Sequence, residues 1–199
     1  KMSPEELRSL YGPPSQRAVE KILPHLDNHC TQFIKNSSFL ILGTANEKSI
    51  DLSPKGDPKG FVKVINKNVL EIPDRPGNNR IDGLLNISIN PKVALLFFIT
   101  NVTETLRIQG TAEIISEKIV LDNHKIKNRL PKTVTRIKID TVGFHCGKAL
   151  IRSELWQPEK WPKDRPIESL YNIIEDQTGL KSLATDEKEV NKIYEKSLY

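Results

Sequence analysis

Residues Leu70 to Arg80 read LEIPDRPGNNR, placing two arginines, two asparagines and a Pro-Gly pair directly behind a short apolar run. A plain turn needs only Pro-Gly or Asn-Gly. The stretch follows a strand pattern and opens a helical one. Backbone N–H groups at a helix start point at whatever binds there, and the helix dipole favours an anion. Gly77 lets the backbone approach a ligand closely. Arg75 and Arg80 have the chemistry to grip phosphate oxygens, bidentately where geometry allows. Arg75 reads either as a second clamp or as a residue that orients the loop through Asp74. The plainer alternative is a capped loop with solvent-facing arginines.

Three further stretches carry charge in suggestive places. SPKGDPKG (53–60) sets Lys55 and Lys59 among glycines and prolines. From Ser53 to Arg80 there are six Lys/Arg against three Asp/Glu, a local excess of +3 within a chain total of +5. A solvated hairpin tip would account for those lysines equally well. ETLRIQG puts Arg107 on the polar side of an apolar strand, where it gains a role only if a second subunit covers that face. HCGKALIRSELW (145–156) spaces Lys148, Arg152 and Trp156 four apart, on one face if the segment is helical. Two cations beside an indole would suit an anionic aromatic ligand, and a core tryptophan with two snorkelling cations fits the same spacing. His25, His29 and Cys30, with His145 and Cys146, offer zinc-type ligands. No CxxC accompanies them, so no metal site is expected.

These stretches need a scaffold. The N-terminal SPEELRSLYG carries a helix cap signal, and residues 14–36 continue as a second helix bent at Pro24. From residue 37 the period changes to two. Short strands are expected over 37–45, 49–53, 60–65 and 69–73, then a helix from about 79 to 89 that stops at Asn90-Pro91. KVALLFFIT is a buried strand. LRIQGTAEII alternates, with Leu106, Ile108, Gly110, Ala112 and Ile114 on one side and Arg107, Gln109, Thr111 and Glu113 on the other. TVTRIKIDTVGFHC is the seventh strand, with Cys146 expected to be buried at its end. Two amphipathic pieces follow Pro166. Strands do not alternate regularly with helices, so the expected class is mainly β with flanking helices: one antiparallel, Greek-key-like barrel domain over 1–199. Its parts are N-terminal helices over 1–36, the barrel over 37–147 and helical segments over 148–199.

The composition narrows the function classes. The chain has 199 residues, enough for one domain with a real core, and a pI near 9.1. Two cysteines make no disulfide framework, which points to a reducing, cytoplasmic setting. The longest apolar run, Val93 to Ile99, is too short to span a bilayer, so no membrane partner is expected. No stretch interleaves basic and aromatic residues as a nucleic-acid platform would. GxSxG, P-loop, GxGxxG and HExxH motifs are all missing from the sequence.

Taken in order, LSPKGDPKGFV, LEIPDRPGNNRIDGLLNI, ETLRIQGTA and HCGKALIRSELW resemble the pyridoxamine 5′-phosphate oxidase-like superfamily of FMN-binding split barrels. More narrowly they resemble a subfamily of FMN-dependent enzymes distinct from the oxidase proper. The resemblance covers roughly residues 10 to 180. It implies a split β-barrel homodimer with FMN in each of two clefts at the subunit interface. On the matching positions, Asn78, Asn79 and Arg80 occupy the slot that holds the FMN phosphate. Ser53, Pro54, Lys55 and Gly56 match the strand running along the isoalloxazine. Arg152 and Trp156 match residues that reach the flavin from the other subunit. Two departures are FFITNVTE, where a Pro-Gly turn is expected, and Gly147, where alanine is expected.

The function so implied is an FMN-binding oxidoreductase acting on a small molecule, with Lys55 or Lys148 as the cation near the flavin's N1/C2 edge. No general base stands out, and hydride from a reduced nicotinamide is the expected reductive half. The alternative on the same barrel is a non-catalytic flavin or haem binding or sensing protein. A haem would want an axial His or Tyr, and His145 is the only histidine in a strand pattern.

Overall fold

The computed structural model describes residues 1–199 except Ser182 and Thr185. Three helices lead the chain: α1 (Pro4–Tyr11), α2 (Gln16–Glu20) and α3 (Asn28–Asn36). Ser3 and Glu6 close a capping box on α1, as the sequence signal requires. The single bent helix expected over 14–36 is instead two helices. Between them Leu23 exchanges two backbone hydrogen bonds with Val142, and Asp27 caps α3 by accepting from the Cys30 N–H. Pro24 removes a helical donor there, so tertiary pairing wins over local propensity.

Seven strands follow: β1 (Phe39–Ala45), β2 (Ile50–Gly56), β3 (Lys63–Asn66), β4 (Val69–Pro73), β5 (Lys92–Phe98), β6 (Thr105–Ile115) and β7 (Val134–His145). Helix α4 (Asp82–Ile89) lies between β4 and β5, and α5 (Lys118–Asp122) between β6 and β7. The strands form one antiparallel sheet in the order β2-β1-β5-β6-β7-β4-β3. The two edge strands, β2 and β3, are joined by loop 57–62 without pairing, which makes this a split β-barrel. Helix α4 packs across β1, β2 and β6. After β7 come α6 (Lys148–Arg152), a 3-10 turn (Pro158–Lys160), α7 (Leu170–Thr178) and α8 (Glu187–Ser197).

The inward face of β1, β4, β5, β6 and β7 is largely apolar at alternate positions. Leu40 and Leu42, Leu70 and Ile72, Val93, Leu95 and Phe97, Leu106 and Ile108, and Ile137 and Ile139 meet there with Phe33 and Ile34 of α3. The alternation expected in β6 holds through Ala112. The register shifts once, between Gln109 and Gly110. A Cβ on Gly110 would lie 2.3 Å from the Lys138 carbonyl oxygen, so only glycine fits against the bulged partner strand.

Candidate functional site

The loop between β4 and α4, residues 74–81, is held from three sides. The Asp74 N–H donates to the Thr133 carbonyl at 2.9 Å, and its carboxylate accepts from Lys55 Nζ of β2 at 3.3 Å. Arg75 donates through Nε to Asp57 at 2.6 Å and through Nη1 to the His124 carbonyl at 2.8 Å. Arg75 is therefore spent on tying its loop to loop 57–62 and to the segment behind α5. Its carboxylate partner is Asp57 rather than the Asp74 expected from the sequence. Tyr199 adds to this knot: its hydroxyl donates to the other Asp57 oxygen at 2.6 Å, which raises the tyrosine pKa.

The rest of the loop faces outward. Asn79 and Ile81 adopt left-handed backbone, at φ 60° and 50°. Asn78 Oδ1 accepts from the Arg80 N–H at 3.1 Å, and Asn79 Oδ1 accepts from Lys132 Nζ at 3.4 Å. The Arg80 side chain is 76% exposed, and its partner is Asp82, at 2.8 Å from Nη2. Helix α4 starts at Asp82, three residues later than expected, because the left-handed pair holds the chain out of the helix. No side chain caps it. First-turn N–H groups have no intrahelical acceptor, so this end is open to an anion. The Asp51 carboxylate packs beside Gly83 in the same turn, 3.1 Å from where a Cβ would stand. Asn86 fixes the helix from its other end: its Nδ2 donates to Thr44 Oγ1, and its Oδ1 accepts from Asn46 and Ser49.

Of the expected site residues, the structure joins Lys55 of β2 to Asp74 in the loop that also carries Arg75, Asn78, Asn79 and Arg80, and Ser53, Pro54 and Gly56 lie with Lys55 on β2. Arg107 lies exposed on β6, between Leu96 of β5 and Gly143 of β7. It and Lys21 help burial to lower the pKa of His145. Lys148 and Arg152 lie exposed on α6, which ends at Arg152. The continuous helical face expected for Lys148, Arg152 and Trp156 is therefore broken: Trp156 lies beyond the helix, half-buried, with Nε1 donating to the Val102 carbonyl at 2.9 Å. Cys146 is exposed rather than buried, whereas Cys30 is buried, its thiol pushed up to about 11 by burial and by Asp27. At Gly147 a Cβ would come 2.4 Å from Thr103 Oγ1, which accounts for glycine where alanine was expected.

One buried cluster has no counterpart in the sequence reading. Glu71, 2% exposed, accepts from Arg136 Nη2 at 2.6 Å and Nε at 2.9 Å, and its other oxygen lies 2.9 Å from His124 Nε2. Burial holds the His124 pKa below its ordinary value against the pull of Glu71, and the Lys63 and Arg75 charges lower it further. The only local hint was a lone acid inside the apolar tetrad VLEI.

This fold defines a split-barrel protein, with an uncapped helix start beside an exposed arginine at the β4–α4 junction. The chain belongs to the pyridoxamine 5′-phosphate oxidase family, whose model matches residues 26–146. It is similar to HupZ from Group A Streptococcus: 21% identity over 59% of this chain and 91% of that one, TM-score 0.47. It is also similar to General Stress Protein 26 from Bacillus anthracis, with 15% identity over 57% and 88% of the chains and a TM-score of 0.46. The FAD binding protein from Mycobacterium smegmatis is 15% identical over 62% and 97%, with a TM-score of 0.43. None of the curated proteins matches the chain. Among the described residues, no helix is long and apolar enough to cross a membrane.

Proposed function

We propose that the protein is an FMN-binding flavoprotein that works as a homodimeric oxidoreductase on a small molecule. The observation that carries the reading is the uncapped start of α4 beside Arg80, an exposed cation one turn from open backbone donors. A phosphomonoester fits that donor set: N–H groups and a guanidinium are what its oxygens accept from. Membership of the family supports a flavin as its owner.

FMN, when bound, supplies the redox chemistry, and the chain's own residues bind and orient it. Arg80 holds the phosphate, exchanging its Asp82 partner for it. Lys55, tethered by Asp74, is placed along β2 as the cation for the flavin edge. Arg75 keeps the two flanking loops in register through Asp57. Lys148 and Arg152, which have no ion-pair partner among the described residues, are free to face a flavin held by a second copy. Trp156 is anchored to Val102 and shapes that end instead of swinging freely.

The dimer reading rests on the outward face of β2, β1 and β5. Ile50 and Leu52 are 82% and 69% exposed. Ile41, Leu96 and Phe98 lie beside them on the same face. An apolar face of that width is what a second copy would cover. Arg107 at its border would then face the interface. We place the protein in a reducing, cytoplasmic setting, with both cysteines unpaired, and take a reduced nicotinamide as hydride donor. Purified protein should be yellow, elute near twice 22.6 kDa and bleach on adding a reduced nicotinamide. A colourless monomer that takes up no FMN would overturn the proposal.

A further inference from the structure

Behind the Arg75 knot lies a pocket of about 150 Å³, between loop 57–62 and the segment following α5. Asp57, Lys59, Lys63, Arg75, His124 and Lys125 are among the residues that line it. Both oxygens of Asp57 are already occupied, one by Arg75 and one by the Tyr199 hydroxyl. Lys59, Lys63 and Lys125 have no ion-pair partner among the described residues. Four cations thus surround one committed carboxylate, a net of +3. Like charges gathered this way repel, and an anion between them relieves the repulsion.

The backbone that carries these lysines is also held in place. Gly60 turns the loop at φ 80°, and Phe61 and Val62, both buried, anchor it between Lys59 and Lys63. Lys125 follows His124, whose ring is locked to Glu71. The Lys63 and Arg75 charges reach far enough inward to help depress the pKa of that buried ring. Arg80 and the start of α4 do not line this pocket, so it is separate from the loop proposed for FMN.

We infer that this pocket is a second anion site, taking a phosphate-class ligand other than the FMN phosphate. It has room for roughly five waters' worth of ligand, the scale of a phosphate or pyrophosphate group and too small for a flavin ring. Charge-assisted contacts from several short loops give such a site its affinity, which falls as salt screens it.

The test is calorimetric titration of inorganic pyrophosphate into the full chain saturated with FMN, at low ionic strength. The expected result is one saturable site per chain. Lys63→Gln and Lys125→Gln should each weaken it roughly tenfold or more. Lys48→Gln, in the turn between β1 and β2, should leave it unchanged. An equal loss with Lys48→Gln would mean diffuse charge and no site. Binding that disappears on FMN saturation would mean the pocket is where the FMN phosphate goes. No saturable heat at all would also overturn the inference. If the protein takes up no FMN, the same titration on the chain alone still decides the pocket, so the two readings fail separately.

Discussion

The outward face of the sheet is divided into two unlike halves. On β2, β1 and β5 it is apolar and bare, with Ile50, Leu52 and Phe39 at 82%, 69% and 41% exposure. On β4, β7 and β6 it carries Glu71, Arg136, Glu113, Lys138 and Thr111 in facing positions. The chain covers part of the second half itself, with the segment after α5 pinned by His124 to Glu71. Glu71 can sit at 2% exposure there because two Arg136 nitrogens and an imidazole satisfy it. The two halves differ in where cover comes from: the charged half finds it within the chain, whereas Ile50 and Leu52 of the apolar half stay exposed, which makes it the face proposed for a second copy. The loop proposed for the flavin phosphate runs from its Lys55–Asp74 contact with edge strand β2 to the start of α4.

The largest effect is expected from putting a charge into the bare half. Leu52→Asp leaves the isolated chain folded, because the side chain is exposed in it. In a dimer it would bury an unpaired carboxylate, a cost of several kcal/mol. Size-exclusion chromatography should then show the 22.6 kDa chain alone, with FMN lost in parallel. An unchanged dimer would move the interface elsewhere.

In the charged half, Arg136→Ala strands the Glu71 carboxylate. Breaking one side of a buried pair typically costs about 3–5 kcal/mol. Arg136 is a third exposed, so about 3 kcal/mol is expected in urea denaturation. A loss near zero would mean that water or His124 alone satisfies Glu71.

A smaller effect comes from pH. His124 is held below its ordinary pKa by burial, so the unfolded chain takes up that proton first. Its contribution to stability is complete above the ordinary histidine value of about 6.5 and is lost as pH falls below it. His124→Gln should flatten the stability profile between about pH 5 and 7. A profile as steep as that of the parent chain would assign the slope to another group.

Period-two and period-3.6 patterns are local, and all seven strands, the helix inside the barrel and both tail helices were legible from them. The loop at 74–80 was also legible, because Pro, Gly and paired Asn mark a turn and the following period marks a helix. What stayed hidden depends on distant partners. Arg75 meets Asp57 eighteen residues back and His124 forty-nine residues on, and nothing in DRPGNNR says so. The same holds for Glu71 with His124 and Arg136. Spacing of four joined Lys148, Arg152 and Trp156 on paper. The helix ends at Arg152, however, and the Trp156 indole goes to Val102 instead.

The central claim is that the open end of α4 and Arg80 hold the phosphate of FMN. The most direct measurement is the affinity of Arg80→Ala for FMN and for riboflavin, by quenching of flavin fluorescence. One charge-assisted contact to phosphate contributes roughly 1.5–3 kcal/mol. The variant should therefore lose about tenfold to a hundredfold or more in FMN affinity and keep its riboflavin affinity. Equal losses for both ligands, or no loss for either, would contradict the claim.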